Sequence, residues 1–423
     1  MRKRPFVVVC IALELALGLA LLSTVPATPA LDELAQATLI FSRVLQIVRQ
    51  DYVSPEKTGY RDLIYAALRG VVHRLDPHCE FYDPAAYRQE RYESRGEMSG
   101  LGIVVAQVSG TFTVVSSIEN APAARAGVQS GDQITGVDGT PTRGLTFDKL
   151  GRLLNGEPGQ TVRLDLFRPA TKQSWHLDIK RQVVQVPSVR DAHVIRAGDT
   201  ESIKIGYLRV TEFVARTAEE IRQKIDEFKS AGITALIVDL RFNPGGLVNS
   251  AVETSALFLP GKTIVVSTEG RNGSNRQELT TPERDGPFTT LPVAILVNGE
   301  TASAAEIVTG ALQDWAHAIV VGETTFGKGV IQSEVPLPDG SAIKFTTAEY
   351  FTPKHNAIEC RGVTPNIIAP LSVAQERGLL LQDRGAYLSA DEKDLVSNFN
   401  DQPLARALDA LHGYLTYQLK PKS

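Results

Sequence analysis

Three short apolar segments, each followed by a polar or glycine-rich loop, constrain the fold of this chain most strongly. They are residues 234–240, 292–297 and 318–321, with a helical stretch at 302–315 between the last two. Apolar runs of this length, rich in β-branched residues, are typical of strands buried in a parallel sheet. The pattern predicts an α/β domain over residues 183–370, with the loops after the strands at one edge of the sheet.

A helix before the first of these strands has recognisable ends. The sequence Thr217-Ala218-Glu219-Glu220 has the spacing of a capping box, which predicts that a helix starts at Thr217. Gly232 stands where a helix end needs a left-handed residue. These two signals predict a helix directly before the first apolar strand, so the alternation of helix and strand begins N-terminal to residue 234.

Three further regions surround this domain. Residues 31–95 carry apolar side chains near helical spacing and predict an N-terminal helical region. Residues 96–182 change to short β-rich runs punctuated by glycine, and residues 371–423 are polar with one amphipathic stretch, which predicts a C-terminal helical tail. At 423 residues the chain is too long for one ordinary core, in agreement with several domains.

The first 30 residues have the order of a secretory signal. Arg2, Lys3 and Arg4 precede an apolar run, residues 6–22, and small residues and prolines follow it. Cleavage after Ala27 fits the small-x-small pattern of a signal peptide, and retention as a membrane anchor is the alternative. We therefore expect an exported, periplasmic protein, either free or anchored to the inner membrane through residues 6–22.

The charge and the cysteines narrow the classes of partner and cofactor. The net charge is −4, and no run of lysine or arginine follows residue 4, so nothing indicates nucleic-acid binding. Neither HExxH nor CxxC occurs, and no metal site is expected. Cys79 and Cys360 lie far apart in sequence, and whether they pair or remain free thiols stays open at this point.

The loops after the three apolar strands hold the candidate catalytic residues. Ser303 would start a helix, so backbone N–H groups near it would point at an oxyanion formed there. Gly246 has no side chain and can bring a second N–H group close. Lys328 lies between two glycines, which favours a close-fitting loop, and burial lowers the pKa of a lysine because it disfavours the ammonium form.

A neutral lysine can accept a serine proton, which is the serine–lysine variant of triad chemistry. Gln332, four residues after Lys328, is a candidate to orient it, and Glu306, one helical turn after Ser303, is a candidate for the same network. Each residue alone has a simpler explanation, because a serine at a helix start is usually a cap. A histidine-based enzyme is the competing interpretation, but none of the seven histidines lies in these loops and no GxSxG motif occurs.

The glycine-rich start of the second region is a candidate peptide-binding site. Gly100, Leu101, Gly102 and Ile103 form a turn into a strand, where no Cβ obstructs the approach of backbone N–H groups to an anion. With the glycine turns that follow, residues 96–182 resemble a PDZ domain. Such domains capture a free C-terminal carboxylate and pair the peptide with a sheet edge. The alternative is that these glycines only make hairpin turns.

The three loops, in this order and after a PDZ-like module, resemble those of the carboxyl-terminal processing peptidases, also called tail-specific proteases. The resemblance extends from Leu75-Asp76-Pro77-His78 through Thr346-Thr347-Ala348 to Gly362-Val363-Thr364-Pro365. It implies a multidomain α+β fold, with a PDZ-like β-rich module, a crotonase-like α/β catalytic core and an N-terminal helical region.

The resemblance also implies a function, an exported serine endopeptidase that recognises the C-terminal tail of its substrates and hydrolyses peptide bonds near it through an acyl-enzyme. Ser303 would be the nucleophile, Lys328 its base and Gln332 an assisting residue, with an oxyanion hole from the N–H groups of Gly246 and Ala304. No metal or organic cofactor is implied. The expected partners are polypeptides with accessible C-termini, a regulatory protein and a second copy of the chain.

Two positions depart from the family pattern, namely Cys79 where serine is common and Asn366 where aspartate often follows the Thr-Pro pair. Neither belongs to the catalytic set. The alternative from a different class is a catalytically silent PDZ scaffold, against which the complete catalytic set argues. An acyl-CoA enzyme on the same core is a third alternative, in which the signal segment and the PDZ-like module would have no role.

Overall fold

The computed structural model describes residues 29–108, 110–196, 203–382, 388 and 390–419. The signal or anchor predicted for residues 1–30 lies, up to residue 28, outside the described residues. Among the helices of the described part, none is long and apolar enough to cross a membrane. The chain forms two compact units, one up to Phe81 and one from Tyr82 onwards.

The first unit is helical. Its helices Pro29–Asp51 and Tyr60–His73 follow the apolar spacing seen in the sequence, and the short strand Glu80–Tyr82 comes after them. The Asp76 carboxylate accepts hydrogen bonds from the N–H groups of His78 and Cys79, at 2.8 and 2.9 Å. This aspartate therefore fixes the turn that follows the second helix.

Helices and strands alternate through the second unit. Its helices are Pro84–Glu93, Pro122–Arg125, Phe147–Leu154, Thr217–Ser230, Val248–Ala256, Ala304–Asp314, Val373–Leu381, Ala390–Ser397 and Gln402–Leu419. The short strands Glu97–Gly100 and Gln182–Gln185 pair with each other and bracket the PDZ-like module.

The PDZ-like module contains an antiparallel sheet. In spatial order its strands are Ile103–Val108, Thr111–Ser117, Gln133–Val137, Thr161–Arg168 and Gln173–Lys180. The short strand Thr140–Pro141 pairs with the third of these. Strand Ile103–Val108 therefore lies at one edge of the sheet. A separate hydrophobic core includes Leu101 and, from helix Phe147–Leu154, Leu150 and Leu154.

The central sheet of the unit is mainly parallel. In spatial order its strands are Val189–Arg196, Lys204–Val210, Ala235–Asp239, Val293–Val297, Ala318–Gly322 and Ile367–Ile368. Only the first pairs antiparallel with its neighbour. The three strands predicted from the apolar runs lie side by side and parallel, so that prediction is confirmed. Their following loops meet at one sheet edge.

Helices cover both faces of this sheet. Helices Thr217–Ser230, Val248–Ala256 and Ala304–Asp314 enclose the larger core on one face. Helix Gln402–Leu419, here called the tail helix, buries Ala407 and Leu411 against the other face. The predicted C-terminal amphipathic stretch is thus a structural layer of this unit.

A second antiparallel sheet was not apparent from the sequence. Its strands within this unit are Ile264–Gly270, Gln277–Thr280, Val330–Pro336 and Ala342–Phe351. Strand Val330–Pro336 begins just after Lys328 and includes Gln332. The predicted site is therefore built from two sheets rather than from one.

The helix predicted from the Thr217 signal begins at Thr217, and Gly232 follows its end with a φ of 81°. The predicted capping box is wrong. The Glu220 carboxylate accepts hydrogen bonds from the N–H and hydroxyl of Ser188 at 2.8 and 2.9 Å, and from the Val189 N–H at 3.1 Å. Glu220 is directed to these groups because they are donors at the start of the neighbouring strand.

Candidate active site

A cleft of about 310 Å³ lies where the loops of the central sheet meet the second sheet. Its lining includes Gly246, Ser303, Lys328 and Gln332. Gly246 follows strand Ala235–Asp239, and the other loops follow the next two parallel strands. The structure thus brings together four residues from separate segments of the sequence, each of which was predicted to belong to the site.

Ser303 immediately precedes helix Ala304–Asp314, here called the serine helix. Its backbone has φ 56° and ψ −120°, a region that residues other than glycine rarely occupy. Such a conformation costs on the order of 1–3 kcal/mol and persists only where the surrounding structure imposes it. Gly245 contributes to this constraint, since a Cβ added there would lie 2.6 Å from the Ser303 Cβ. Ala304 is fully buried as the first residue of the serine helix.

Glu306 connects the two halves of the site through a fully buried carboxylate. Its Oε2 atom accepts hydrogen bonds from the N–H groups of Ser303 and Lys328, at 2.8 and 2.9 Å. Its Oε1 atom accepts hydrogen bonds from the Gly327 N–H at 2.8 Å and from the Thr325 hydroxyl. Burial raises the pKa of Glu306, and these four hydrogen bonds oppose the rise.

Lys328 lies in residues 323–329, here called the lysine loop, and is half-buried. Its Nζ atom donates to the Gln332 Oε1 at a long distance of 3.4 Å. The flanking glycines permit close packing, because a Cβ at Gly329 would lie 2.2 Å from the Glu359 backbone nitrogen. The Gly329 N–H also donates to the Glu359 carboxylate at 2.7 Å. The lysine loop is therefore held in place by the residues around Glu359.

Tyr350 belongs to the site but was not chosen as a site residue from the sequence. Its hydroxyl donates to the Lys328 carbonyl, and its N–H donates to the Gly329 carbonyl at 2.8 Å. Burial raises the pKa of Tyr350 well above its usual value, and the charge of Glu306 acts in the same direction. A hydrogen bond with the Ser303 side chain opposes this rise. The available signal was its place between two segments that resemble the family, Thr346-Thr347-Ala348 and Gly362-Val363-Thr364-Pro365.

Residues 241–247, here called the glycine loop, hold Gly246 in a conformation open mainly to glycine. Gly246 has φ 133°, and a Cβ there would lie 2.1 Å from the Phe213 carbonyl oxygen. The buried side chain of Asn243 accepts a hydrogen bond from the Gly245 N–H and donates to the Val210 carbonyl, both at 2.8 Å. The sequence indicated Gly246 alone, whereas Gly245 and Asn243 also shape the loop.

Carboxylates line one wall of the cleft. Glu90 and Glu334 lie 2.8 and 3.7 Å from the Lys344 ammonium. Burial raises the pKa of Glu212, as do the charges of Glu93 and Glu90, while Lys344 opposes the rise. This wall was not predicted, because its residues come from three distant segments.

The four candidate peptide-binding residues lie in the PDZ-like module, and none of them lines the cleft. Leu101 is buried in the core of the module. Gly102 has φ 70°, and a Cβ there would lie 2.3 Å from the Ala121 Cβ. Gly100 ends a short strand and Ile103 begins the edge strand of the sheet. The turn therefore leads directly into an edge strand, as a PDZ peptide site requires.

Neither a metal-binding group nor a disulfide bond is present in the described part of the chain. Within it, no group of three or more histidine, cysteine or carboxylate side chains is arranged to hold a metal ion. Cys79 is buried and Cys360 is exposed, and neither forms a disulfide bond.

Comparison with known proteins places the chain in a family. Residues 204–369 match the peptidase family S41, and residues 113–168 match the PDZ domain. The carboxy-terminal-processing protease of Bartonella bacilliformis is 31% identical over 408 residues, which cover 90% of this chain and 89% of that protein. The carboxyl-terminal-processing protease of a Picosynechococcus species is 35% identical over 328 residues, 77% of each chain.

A solved structure of an S41-family protein from Bacteroides fragilis has a similar fold. It covers 88% of this chain and 97% of its own, with a TM-score of 0.50 and 18% identity. The predicted multidomain α+β fold with a PDZ-like module is therefore confirmed. By sequence over nearly its whole length, the chain belongs to the carboxyl-terminal processing proteases, which are serine-type peptidases of family S41.

Proposed function

We propose that this protein is an exported serine endopeptidase that recognises the C-terminal tail of protein substrates through its PDZ domain and cuts peptide bonds near that tail. One observation carries the proposal. Ser303 and Lys328 line the same cleft, and their N–H groups donate to the same carboxylate oxygen of Glu306. A shared acceptor fixes the spacing of two backbone segments, and a nucleophile and its base need such fixed spacing.

The proposed reaction is acyl transfer. The Ser303 hydroxyl attacks the carbonyl carbon of the scissile peptide, and the neutral Lys328 amine takes the hydroxyl proton. The N–H groups of Gly246 and Ala304 stabilise the oxyanion. Lys328 then gives the proton to the leaving amine, and the C–N bond breaks to leave an acyl-enzyme. A water molecule, deprotonated by Lys328, then attacks the acyl carbonyl carbon. The ester C–O bond breaks, and Lys328 returns the proton to the Ser303 oxygen.

Gln332 has the role of orienting the base in this scheme. Its side-chain oxygen accepts from the Lys328 Nζ, and it lies on a strand whose backbone is paired along its length with Ala342–Phe351. A rigid strand is a better support for a positioning group than a loop. The long 3.4 Å contact is compatible with a bond that tightens when substrate enters the cleft.

Tail recognition is assigned to the turn formed by residues 100–103. The carbonyl of Leu101 accepts from the Ala123 N–H at 3.0 Å, and that of Gly102 accepts from the Ile118 N–H at 2.8 Å. These two bonds direct the carbonyl groups into the module. This arrangement supports the proposal that the N–H groups of the turn face the substrate carboxylate. The edge strand Ile103–Val108 would then pair with the substrate peptide.

Export and periplasmic location belong to the same proposal and rest on the order of charged, apolar and small residues at the N-terminus. The test is fractionation of cells that produce the full chain, with mass spectrometry of its N-terminus. A periplasmic protein cleaved after Ala27 supports the proposal. A cytoplasmic protein with an intact N-terminus would contradict it.

The proposed activity is tested with an unstructured protein that ends in an apolar C-terminus. Intact mass spectrometry would compare the wild type with Ser303→Ala and Lys328→Ala, and with the exposed Lys354→Ala as a matched control. We expect cleavage by the wild type and the control, and none by the other two. Equal cleavage by all four proteins would contradict the mechanism, and no cleavage by any of them would favour the silent scaffold.

A second experiment isolates tail recognition. The same substrate is prepared with a free and with an amidated C-terminus, which removes the charge without changing the cleaved segment. We expect amidation to raise KM by at least about tenfold, because a carboxylate held by several N–H groups is a charge-assisted contact. Equal KM values would contradict capture of the C-terminal carboxylate.

A further inference from the structure

Arg241, the first residue of the glycine loop, is held by carboxylates from two distant parts of the chain. It is 2% exposed. Its Nε and Nη2 atoms donate to the Asp239 carboxylate at 3.0 and 2.6 Å. Its Nη1 and Nη2 atoms donate to the two oxygens of Asp401 at 2.8 and 2.9 Å. Asp401 lies 160 residues away, immediately before the tail helix.

The bidentate contact gives Asp401 control over the orientation of the guanidinium. A planar guanidinium that meets a carboxylate through two parallel bonds is fixed in direction as well as in distance. Asp239 is constrained in turn, because the Tyr207 hydroxyl donates to its Oδ2 atom at 2.7 Å. Arg241 therefore lies between two carboxylates, each with a defined geometry.

Asp401 is itself rigidly placed. Its Oδ1 atom accepts from the Leu404 N–H at 3.0 Å, and its carbonyl accepts from the Ala405 N–H at 2.9 Å. The tail helix that follows is anchored by Ala407 and Leu411, which are buried against the central sheet. The sheet face thus supports Asp401, and Asp401 supports Arg241.

Only a few residues separate Arg241 from Gly246. Between them, Phe242 has a φ of 61° and donates its N–H to the Asn298 side chain at 2.9 Å. The loop then turns at Asn243 and reaches Gly245, where an added Cβ would lie 2.6 Å from the Ser303 Cβ. A loop this short and this constrained transmits a shift at its first residue to its last.

We propose that Asp401 is a positioning residue for peptide hydrolysis, which holds Arg241 and thereby sets the glycine loop and the Gly246 N–H at the oxyanion. The tail helix is then part of the catalytic apparatus. The inference rests on the proposed function, in which Gly246 is an oxyanion donor.

The test is Asp401→Asn in the full chain. Asparagine caps a helix about as well as aspartate, so the tail helix keeps its start, while the charged contact with Arg241 is lost. We expect kcat to fall by about 10- to 100-fold, less than the roughly 10²- to 10³-fold lost when an oxyanion donor is removed outright, with KM within twofold. Asp409→Asn, at an exposed position of the same helix, is the matched control and is expected to leave both constants unchanged.

Three further measurements separate positioning from simple loss of fold. Rates are divided by the folded fraction, taken from circular dichroism at the assay temperature. The affinity for the uncleaved substrate is measured in Ser303→Ala and in Ser303→Ala/Asp401→Asn, and equal values are expected. Asp401→Glu retains the charge, and its kcat is expected to lie between those of the wild type and Asp401→Asn.

An unchanged kcat in Asp401→Asn, or a loss that matches the unfolded fraction, would overturn the inference. So would an Asp401→Glu variant no better than Asp401→Asn. If Asp401→Asn does not fold, Asp401→Glu is compared with the wild type instead. A lower kcat with KM within twofold then supports the inference, and an unchanged kcat overturns it. Failure of the proposed function is distinguishable, because Ser303→Ala would then cleave as the wild type does.

Discussion

Glu306 and Asp239 are both buried carboxylates next to the candidate active site, but their partners differ in kind. Glu306 accepts hydrogen bonds from backbone N–H groups and a hydroxyl, whereas Asp239 faces the guanidinium of Arg241. Burial raises the pKa of Glu306. For Asp239 burial acts in the same direction, but the charge and hydrogen bonds of Arg241 outweigh it and hold the pKa below its usual value.

The difference shows two ways of fixing a site. Neutral donors hold a carboxylate in place through several directed bonds, and they come from the loops that need positioning. An ion pair instead holds a charged side chain in place, and the oppositely charged partner can come from any part of the chain. Glu306 therefore joins two neighbouring loops, while Asp239 and Arg241 connect the glycine loop to Asp401 before the tail helix.

The largest effect on activity is expected from Glu306→Gln, which replaces the carboxylate that accepts hydrogen bonds from both Ser303 and Lys328. A glutamine presents an NH₂ group to two of the four donors, and each buried donor left unsatisfied costs about 1–3 kcal/mol. We expect kcat to fall by at least about 100-fold, since both Ser303 and Lys328 lose an anchor. Kinetics and thermal unfolding measure the two effects.

Glu300→Gln, at an exposed position of the loop before Ser303, is the control for this change. It is expected to behave as the wild type does. Wild-type kcat in Glu306→Gln would show that the shared acceptor does not position the site.

Asp239→Asn removes the charge from the other buried carboxylate. Breaking a buried ion pair by removing one partner costs about 3–5 kcal/mol, because the remaining charge is left poorly compensated. Asp401 retains part of the interaction, so we expect the lower end of this range in urea unfolding. Asp226→Asn, on the exposed face of a helix, is the control. Equal stability of both variants would contradict a structural role for the pair.

The two carboxylates are expected to give opposite slopes of stability against pH. Because the pKa of Asp239 is lowered in the folded protein, its contribution is present above the ordinary value of 3.8 and is lost as the pH falls through the lowered value. Because the pKa of Glu306 is raised, the folded protein binds more protons between 4.5 and the raised value, and stability falls as the pH rises through that window.

Melting temperatures between pH 3 and pH 7 measure these slopes. Asp239→Asn should flatten the loss of stability on the acid side, and Glu306→Gln should remove the opposite slope above pH 4.5. Identical profiles for wild type and Asp239→Asn would contradict the assignment.

The smallest expected effect concerns the backbone of Ser303. Both Ser303→Ala and Ser303→Gly remove the nucleophile, but only glycine occupies φ 56°, ψ −120° without strain. We expect the glycine variant to be more stable than the alanine variant by about 1 kcal/mol in urea unfolding. Equal or reversed stabilities would show that this conformation is not strained.

The arrangement of the parallel strands was predictable, and with it much of the site. Buried parallel strands are continuous apolar runs, and their carboxyl ends meet at one edge whatever the details of packing. Gly246, Ser303 and Lys328 could therefore be brought together from pattern alone, and Gln332 follows Lys328 on the next strand.

The rest depended on tertiary contacts that have no local signature. The spacing of a capping box at Thr217 was present, yet Glu220 bonds to Ser188 instead. Asp401 meets Arg241 across 160 residues, and no periodicity relates them. The full role of Glu306 was equally hidden, since one turn of helix explains its contact with Ser303 but not its contact with Lys328.

Covalent labelling tests directly whether Ser303 is a nucleophile that Lys328 activates. The wild type, Ser303→Ala and Lys328→Ala are treated with a fluorophosphonate and examined by peptide mass spectrometry over time. We expect a single adduct on Ser303 in the wild type and none in Ser303→Ala. In Lys328→Ala we expect labelling to be slower by about 10²- to 10⁴-fold. Labelling of another residue, or an unchanged rate in Lys328→Ala, would contradict this expectation.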